Sequence, residues 1–109
     1  MPYLDRGDVR LYYEDSGAGT PVLLTHGFGA STGMWRGQVE EFQDRYRLIP
    51  WDMRGHGRTE CPDGSTYYSQ ALTDDDMAAL LDHLKIDQAV IGGHSLGGFM
   101  SLSFNVATF

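Results

Sequence analysis

The stretch Gln88-Ala89-Val90-Ile91-Gly92-Gly93-His94-Ser95-Leu96-Gly97-Gly98 decides how the rest of the chain is read. Its first four residues form a short apolar run of strand type, and Phe99 to Phe109 is a small-and-apolar stretch of helical type. Between them, Gly93-His94-Ser95-Leu96-Gly97 has the form G-x-S-x-G. Five residues of that form arise often by chance; the strand before and the helix after give the match its meaning. A serine on so tight a strand-to-helix turn has a strained backbone and a hydroxyl pushed into the open. Gly93 and Gly97 flank it because a β-carbon at either place would collide with the neighbouring chain. The helix N-terminus adds backbone N–H groups and a positive dipole end where an oxyanion would form. Ser95 is therefore the candidate nucleophile.

Upstream, Val22-Leu23-Leu24-Thr25 is a short apolar strand of the kind covered on both faces, followed by the glycine-rich His26-Gly27-Phe28-Gly29-Ala30-Ser31. An oxyanion hole needs a second N–H from another loop, and glycines let that backbone approach a substrate. Val9 to Asp15 has strand composition and ends at the turn Ser16 to Pro21. Met34, Trp35, Val39, Phe42 and Tyr46 fall at helical spacing with Glu40, Glu41 and Asp44 outward. Arg47 to Asp52 reads as the next strand, weakened by Pro50, and Met53 to Leu72 as a long polar loop. Thr73-Asp74-Asp75-Asp76 resembles a capping box that opens a second helix, with Met77, Leu80, Leu81 and Leu84 on one face. Strands alternating with helices predict an α/β fold: a predominantly parallel sheet with helices on both faces.

The chain has 109 residues, 41% hydrophobic and 21% charged, as expected of a folded domain rather than a disordered segment. Lys+Arg is 8 against Asp+Glu 15, a formal charge of -7, which disfavours nucleic acid and anionic membranes as partners. Cys61 is the single cysteine, so no internal disulfide or cysteine-based metal cluster is possible. No apolar run reaches the roughly 20 residues of a membrane helix. The N-terminus lacks the apolar core of a signal peptide, so a cytoplasmic setting is the expectation.

His26-Gly27-Phe28-Gly29, Asp52-Met53-Arg54-Gly55-His56-Gly57-Arg58 and Gly93-His94-Ser95-Leu96-Gly97-Gly98 together resemble three signatures of the α/β-hydrolase superfamily, in the family's order and spacing. The similarity is closest to small esterases, lactonases and cofactor-free haloperoxidase-like members. It implies that Ser95 is the nucleophile and that the Phe28 and Leu96 amides form the oxyanion hole. It further implies that His26 braces the oxyanion loop, with Gly27, Gly93, His94 and Gly97 as supporting motif residues, and that Asp52 to Arg58 is a structural turn. The implied substrate is a small acyl compound, with no cofactor and no metal. Serine at the nucleophile position disfavours the similar epoxide hydrolases and haloalkane dehalogenases, which carry aspartate there. Residues 1–109 are then the N-terminal portion of a single domain, a truncated fold of about five strands in one contiguous sheet, ending in the helix after the nucleophile.

In that family the triad runs Ser, then Asp or Glu, then His, yet residues 96–109 contain none of these acidic or histidine residues. His94 adjoins Ser95, but neighbours on a tight turn point apart; His26 and His56 lie in structural loops, and His83 lies on the outer face of its helix. Asp52 and His56 would be two metal ligands where zinc takes three or four. Two other functions compete. Gly27-Phe28-Gly29 after a strand, with Asp52 as a ribose acid, partly matches a dinucleotide-binding fingerprint, but Thr32 occupies the third glycine position. A non-catalytic binding protein of the same fold is the other, against which the intact Ser95 turn argues.

Overall fold

The computed structural model describes residues 3–64, 66 and 68–108, and for residues 103 and 105–108 the backbone alone. Phe109, the last residue of the predicted final helix, lies outside the described residues. The elements run β1 (Tyr3–Asp5), β2 (Arg10–Tyr12), β3 (Thr20–Thr25), a 3-10 turn (Thr32–Trp35), α1 (Arg36–Phe42), β4 (Tyr46–Trp51), α2 (Gln70–His83), β5 (Val90–Gly93) and α3 (Leu96–Thr108).

The three parallel strands lie in the order β4-β3-β5, which puts the strand before His26 beside the strand before Ser95. Register is set by burial: Leu23 pairs with Ile49 on one side and Ile91 on the other, and both Leu23 and Ile49 are fully buried. On this face the side chains of Leu23, Ile49 and Trp51 meet Met77 and Leu80 of α2 and Phe104 of α3 in one core. Trp51 adds a buried hydrogen bond from its indole Nε1 to Thr25 Oγ1 at 2.8 Å.

The expected single five-strand sheet is instead two sheets. β1 and β2 form an antiparallel pair, and Tyr13 and Ser16 join β4 only through isolated bridges to Trp51 and Leu48. Pro50 accounts for part of the gap. The amides of Leu48 and Asp52 donate to the carbonyls of Ser16 and Tyr12, so the rung that Pro50 cannot donate faces Glu14, not β3. The Glu14 amide still donates to the Pro50 carbonyl at 2.8 Å, and Val9, Leu11 and Tyr13 still enter the core.

Three helix boundaries differ from the periodicity. The first helix stops at Phe42, and Tyr46 opens β4. None of α1's residues is buried, and Phe42 and Tyr46 are exposed. The capping box at Thr73 does not form: α2 starts at Gln70, and Ser69 Oγ accepts from the Leu72 amide at 3.0 Å. Thr73 Oγ1 instead donates to the Ser69 carbonyl, and the three aspartates sit inside the helix, beyond the first turn. The third helix begins at Leu96, three residues before the predicted start, because the serine turn passes into it without a linker.

Candidate active site

At the C-terminal end of β5 the chain turns into α3 through His94 and Ser95. Ser95 has φ 56 and is exposed, as the sequence pattern demands. A left-handed backbone at a non-glycine residue costs roughly 1–2 kcal/mol. The surrounding contacts hold it there. The Gly97 amide donates to the His94 carbonyl at 3.0 Å, and the His94 amide to Thr25 of β3 at 3.2 Å. A β-carbon on Gly97 would fall on the carbonyls of Thr25 and His26, and one on Gly93 would meet the backbone of Gly97 and Gly98. The first turn of α3 thus lies directly over the end of β3, and only glycine permits it.

The loop after β3 comes to the same place. A β-carbon on Gly27 would lie 3.3 Å from the His94 carbonyl and 3.6 Å from Ser95 Cβ, so the two loops are in contact. Phe28 occupies a tight turn closed by the Ala30 amide on the Gly27 carbonyl at 3.1 Å, with Gly29 at φ 78. Its ring projects into the open, 83% exposed, and touches the His56 ring edge-on. Leu96 is the first residue of α3, where helix amides have no intrahelical acceptor.

His26 is fully buried beneath this loop. Its Nε2 accepts from the Met53 amide at 2.9 Å, so Nδ1 carries the proton and donates to the Gly27 carbonyl at 2.7 Å. Burial pushes its pKa below the usual 6.5, against an opposing pull from the Gly27 hydrogen bond, and the ring is neutral at pH 7. With both nitrogens occupied, His26 is a brace between two loops. His56 Nδ1 faces the Arg54 carbonyl at 3.0 Å, and the exposed His83 packs edge-on to Tyr13.

The Asp52 to Arg58 turn is held from inside. The buried Asp52 carboxylate accepts from the amides of Thr32 (2.7 Å) and Arg58 (2.9 Å), and a β-carbon on Gly57 would land on it. Asp52 is thus buried and engaged by amides of its own chain, which counts against a role as a ribose acid in dinucleotide binding. Arg54, pointing the other way, makes the ion pairs that sequence reasoning missed. Its Nε and Nη2 reach the fully buried Asp76 at 2.7 and 3.0 Å, and its Nη1 reaches Asp8 at 2.7 Å. Arg6 adds a third contact to Asp76 at 3.0 Å. The Asp76 hydrogen bond, foremost, raises the Arg54 pKa above its ordinary range. No local pattern marks Arg54 and Asp76 as partners, because they lie 22 residues apart.

Between the N-terminal turns of α2 and α3 opens a cavity of about 300 Å³, lined among others by Phe28, Met53, His56, Tyr68, Leu96 and Met100. A wider hollow of about 600 Å³ lies beyond Phe28 and His56, toward Cys61 and Pro62.

Residues 20–104 match the sequence profile of the alpha/beta hydrolase fold, and the chain belongs to that family. It is 38% identical over 107 residues to a putative carbamate hydrolase, RutD, of Azorhizobium caulinodans, covering 98% of this chain and 40% of the relative. It is 40% identical over 90 residues to an epoxide hydrolase of Caballeronia sordidicola, covering 82% and 27%. The solved structure of Est816, described as an N-acyl homoserine lactone degrading enzyme, superposes with a TM-score of 0.89 at 37% identity, covering 96% of this chain and 40% of that one. The chain therefore spans well under half the length of the relatives it matches. Among the described residues, no helix is long and apolar enough to cross a membrane.

Proposed function

We propose that Ser95 is the nucleophile of a serine hydrolase acting on a small ester, lactone or related acyl substrate through an acyl-enzyme. The observation that carries this reading is the exposed, left-handed Ser95 on a strand-to-helix turn, with the Gly27 loop packed against it. The Phe28 and Leu96 amides are the natural pair to stabilise the oxyanion formed when Ser95 Oγ attacks the carbonyl. His26 keeps the first of these loops in place through Met53 and Gly27. The carbamate hydrolase and lactone-degrading relatives support acyl chemistry. The likeness to an epoxide hydrolase is one of scaffold, since serine stands here where the resemblance puts aspartate in such enzymes.

The triad acid and the base histidine lie outside residues 1–109 on this reading, because residues 96–109 offer neither. A serine hydroxyl is a poor nucleophile until a neighbouring base takes its proton. The chain alone is then expected to hydrolyse p-nitrophenyl acetate no faster than its Ser95→Ala variant. Joined to the C-terminal remainder of the carbamate hydrolase relative, it should gain at least about 10²-fold, the lower range of general-base assistance, and lose the gain on Ser95→Ala. Hydrolysis by the joined protein that is indifferent to Ser95 would overturn the proposal, and so would a free chain that works at ordinary esterase rates.

A further inference from the structure

The Phe28 amide can serve an oxyanion only while its peptide unit is held at one tilt. A peptide unit is planar and trans, so the Phe28 N–H points away from the Gly27 carbonyl of the same unit. That carbonyl accepts two hydrogen bonds, from His26 Nδ1 at 2.7 Å and from the Ala30 amide at 3.1 Å. A grip on the oxygen alone still lets the unit rock about it. Glycines stand on both sides of Phe28, so the backbone offers little resistance of its own.

The second hold is the Phe28 ring. It is 83% exposed, yet it meets the His56 ring at 5.6 Å between centroids and 81° between planes, one of the arrangements that aromatic pairs prefer. His56 is itself fixed. Its amide donates to the Met53 carbonyl at 3.0 Å, and its carbonyl accepts from the Thr59 amide at 3.0 Å. Its Nδ1 faces the Arg54 carbonyl at 3.0 Å, which only accepts, so that nitrogen carries a proton and donates. The His56 ring also lies 4.7 Å from that of His26, whose Nε2 takes the Met53 amide. These contacts close a circuit from His26 through Gly27, Phe28, His56 and Met53 back to His26. The loop after β3 is thereby tied to the turn after β4 at its base and at its tip.

We propose that His56 is a positioning residue for the oxyanion, fixing the tilt of the Gly27–Phe28 peptide through the Phe28 ring. This role rests on the hydrolase reading above. Two substitutions separate the ring from the hydrogen bond. His56→Asn keeps a donor where Nδ1 stood and removes the ring contact; His56→Phe keeps a ring and removes the donor. The 109-residue chain is treated with an alkyl fluorophosphonate and imidazole, and the rate of labelling at Ser95 is read by mass spectrometry. The 1H–15N heteronuclear NOE of the Phe28 and Leu96 amides is measured on the same proteins. His56→Asn should slow labelling about two- to twelvefold, the weight of one aromatic pair, and should lower the NOE at Phe28 but not at Leu96. His56→Phe should restore both readings to near the parent's. Labelling of His56→Asn at the parent rate, a His56→Phe variant slower than His56→Asn, or an NOE that falls alike at Phe28 and Leu96 would overturn the proposal. Any of these, with the parent still labelled at Ser95, leaves the hydrolase reading standing. A parent chain that takes no label at Ser95 would remove that reading, and the role of His56 with it.

Discussion

Replacing Arg54 by methionine should be among the most damaging single changes to the fold outside the apolar core. The Arg54 side chain is 4% exposed and Asp76 is 0% exposed, so removing the guanidinium strands a buried carboxylate. Arg6 remains as a partner at 3.0 Å, but its side chain is 28% exposed and supplies one contact where Arg54 supplied two. Breaking a buried pair by deleting one member costs roughly 3–5 kcal/mol, a large part of the roughly 5–15 kcal/mol that stabilises a typical domain. Asp8 is different. Its side chain is 37% exposed, and Asp8→Ala should cost about 1 kcal/mol or less, as exposed pairs do. Urea unfolding followed by tryptophan fluorescence reads both. With a slope of about 1–3 kcal/mol per molar urea, Arg54→Met should move the midpoint down by more than about 1 M. The double variant Arg54→Met/Asp76→Leu should recover most of the loss, since apolar replacement of both members of a buried pair is often neutral. A single-variant cost under about 1 kcal/mol, or a double variant worse than the single, would refute the reasoning.

Stability should also fall with acidification because of His26. Its folded pKa lies below the ordinary 6.5, so below pH 6.5 the unfolded chain binds a proton that the folded one refuses. Stability contributed by neutral His26 is complete above 6.5 and declines as pH drops toward the folded pKa; His26→Gln, measured by urea titration at pH 8 and pH 5.5, should flatten that slope. Gly97→Ala should cost about 3 kcal/mol, the upper end of overpacking, because its β-carbon meets the carbonyls of Thr25 and His26; a thermal melt within 2 °C of the parent would contradict the packing described. Lys85 holds φ 58 just after α2, where the Ile86 amide reaches back to the Leu81 carbonyl at 2.9 Å, a position that glycine suits better. Lys85→Gly should therefore raise stability by up to about 1 kcal/mol, and a lowered melting temperature would count against that geometry.

Much of the site was legible because its determinants are local. The Ser95 turn needs two glycines at fixed offsets, a strand before and a helix after, and all of these sit within one short stretch of sequence. The neighbouring β3 and its glycine-rich loop followed from the same logic. Where sequence reading failed, tertiary contacts had overruled local preference. Aspartates disfavour a helix interior, which makes Thr73-Asp74-Asp75-Asp76 look like a first turn; the ion pairs to Arg54 and Arg6 are what allow Asp76 to sit in the second turn of α2. Tyr46 continues the helical period of Val39 and Phe42, but the turn closed by the Arg45 amide on the Phe42 carbonyl sends it into β4. The cavity residues Met53 and Tyr68 stand near opposite ends of the connection from β4 to α2, and Met100 is on α3; only the fold brings them together.

The central claim is that this geometry singles out Ser95 for attack, and the most direct measurement is covalent. The chain is incubated with an alkyl fluorophosphonate in the presence of imidazole as an exogenous base, and the modified peptide is identified by mass spectrometry. Ser95 Oγ displaces fluoride from phosphorus, imidazole takes the proton, and the phosphoryl oxygen stands where the proposal puts the oxyanion. The account predicts a single adduct on Ser95, lost in Ser95→Ala. Label spread evenly over Ser31, Ser69 and Ser101, or total labelling unchanged by Ser95→Ala, would contradict it.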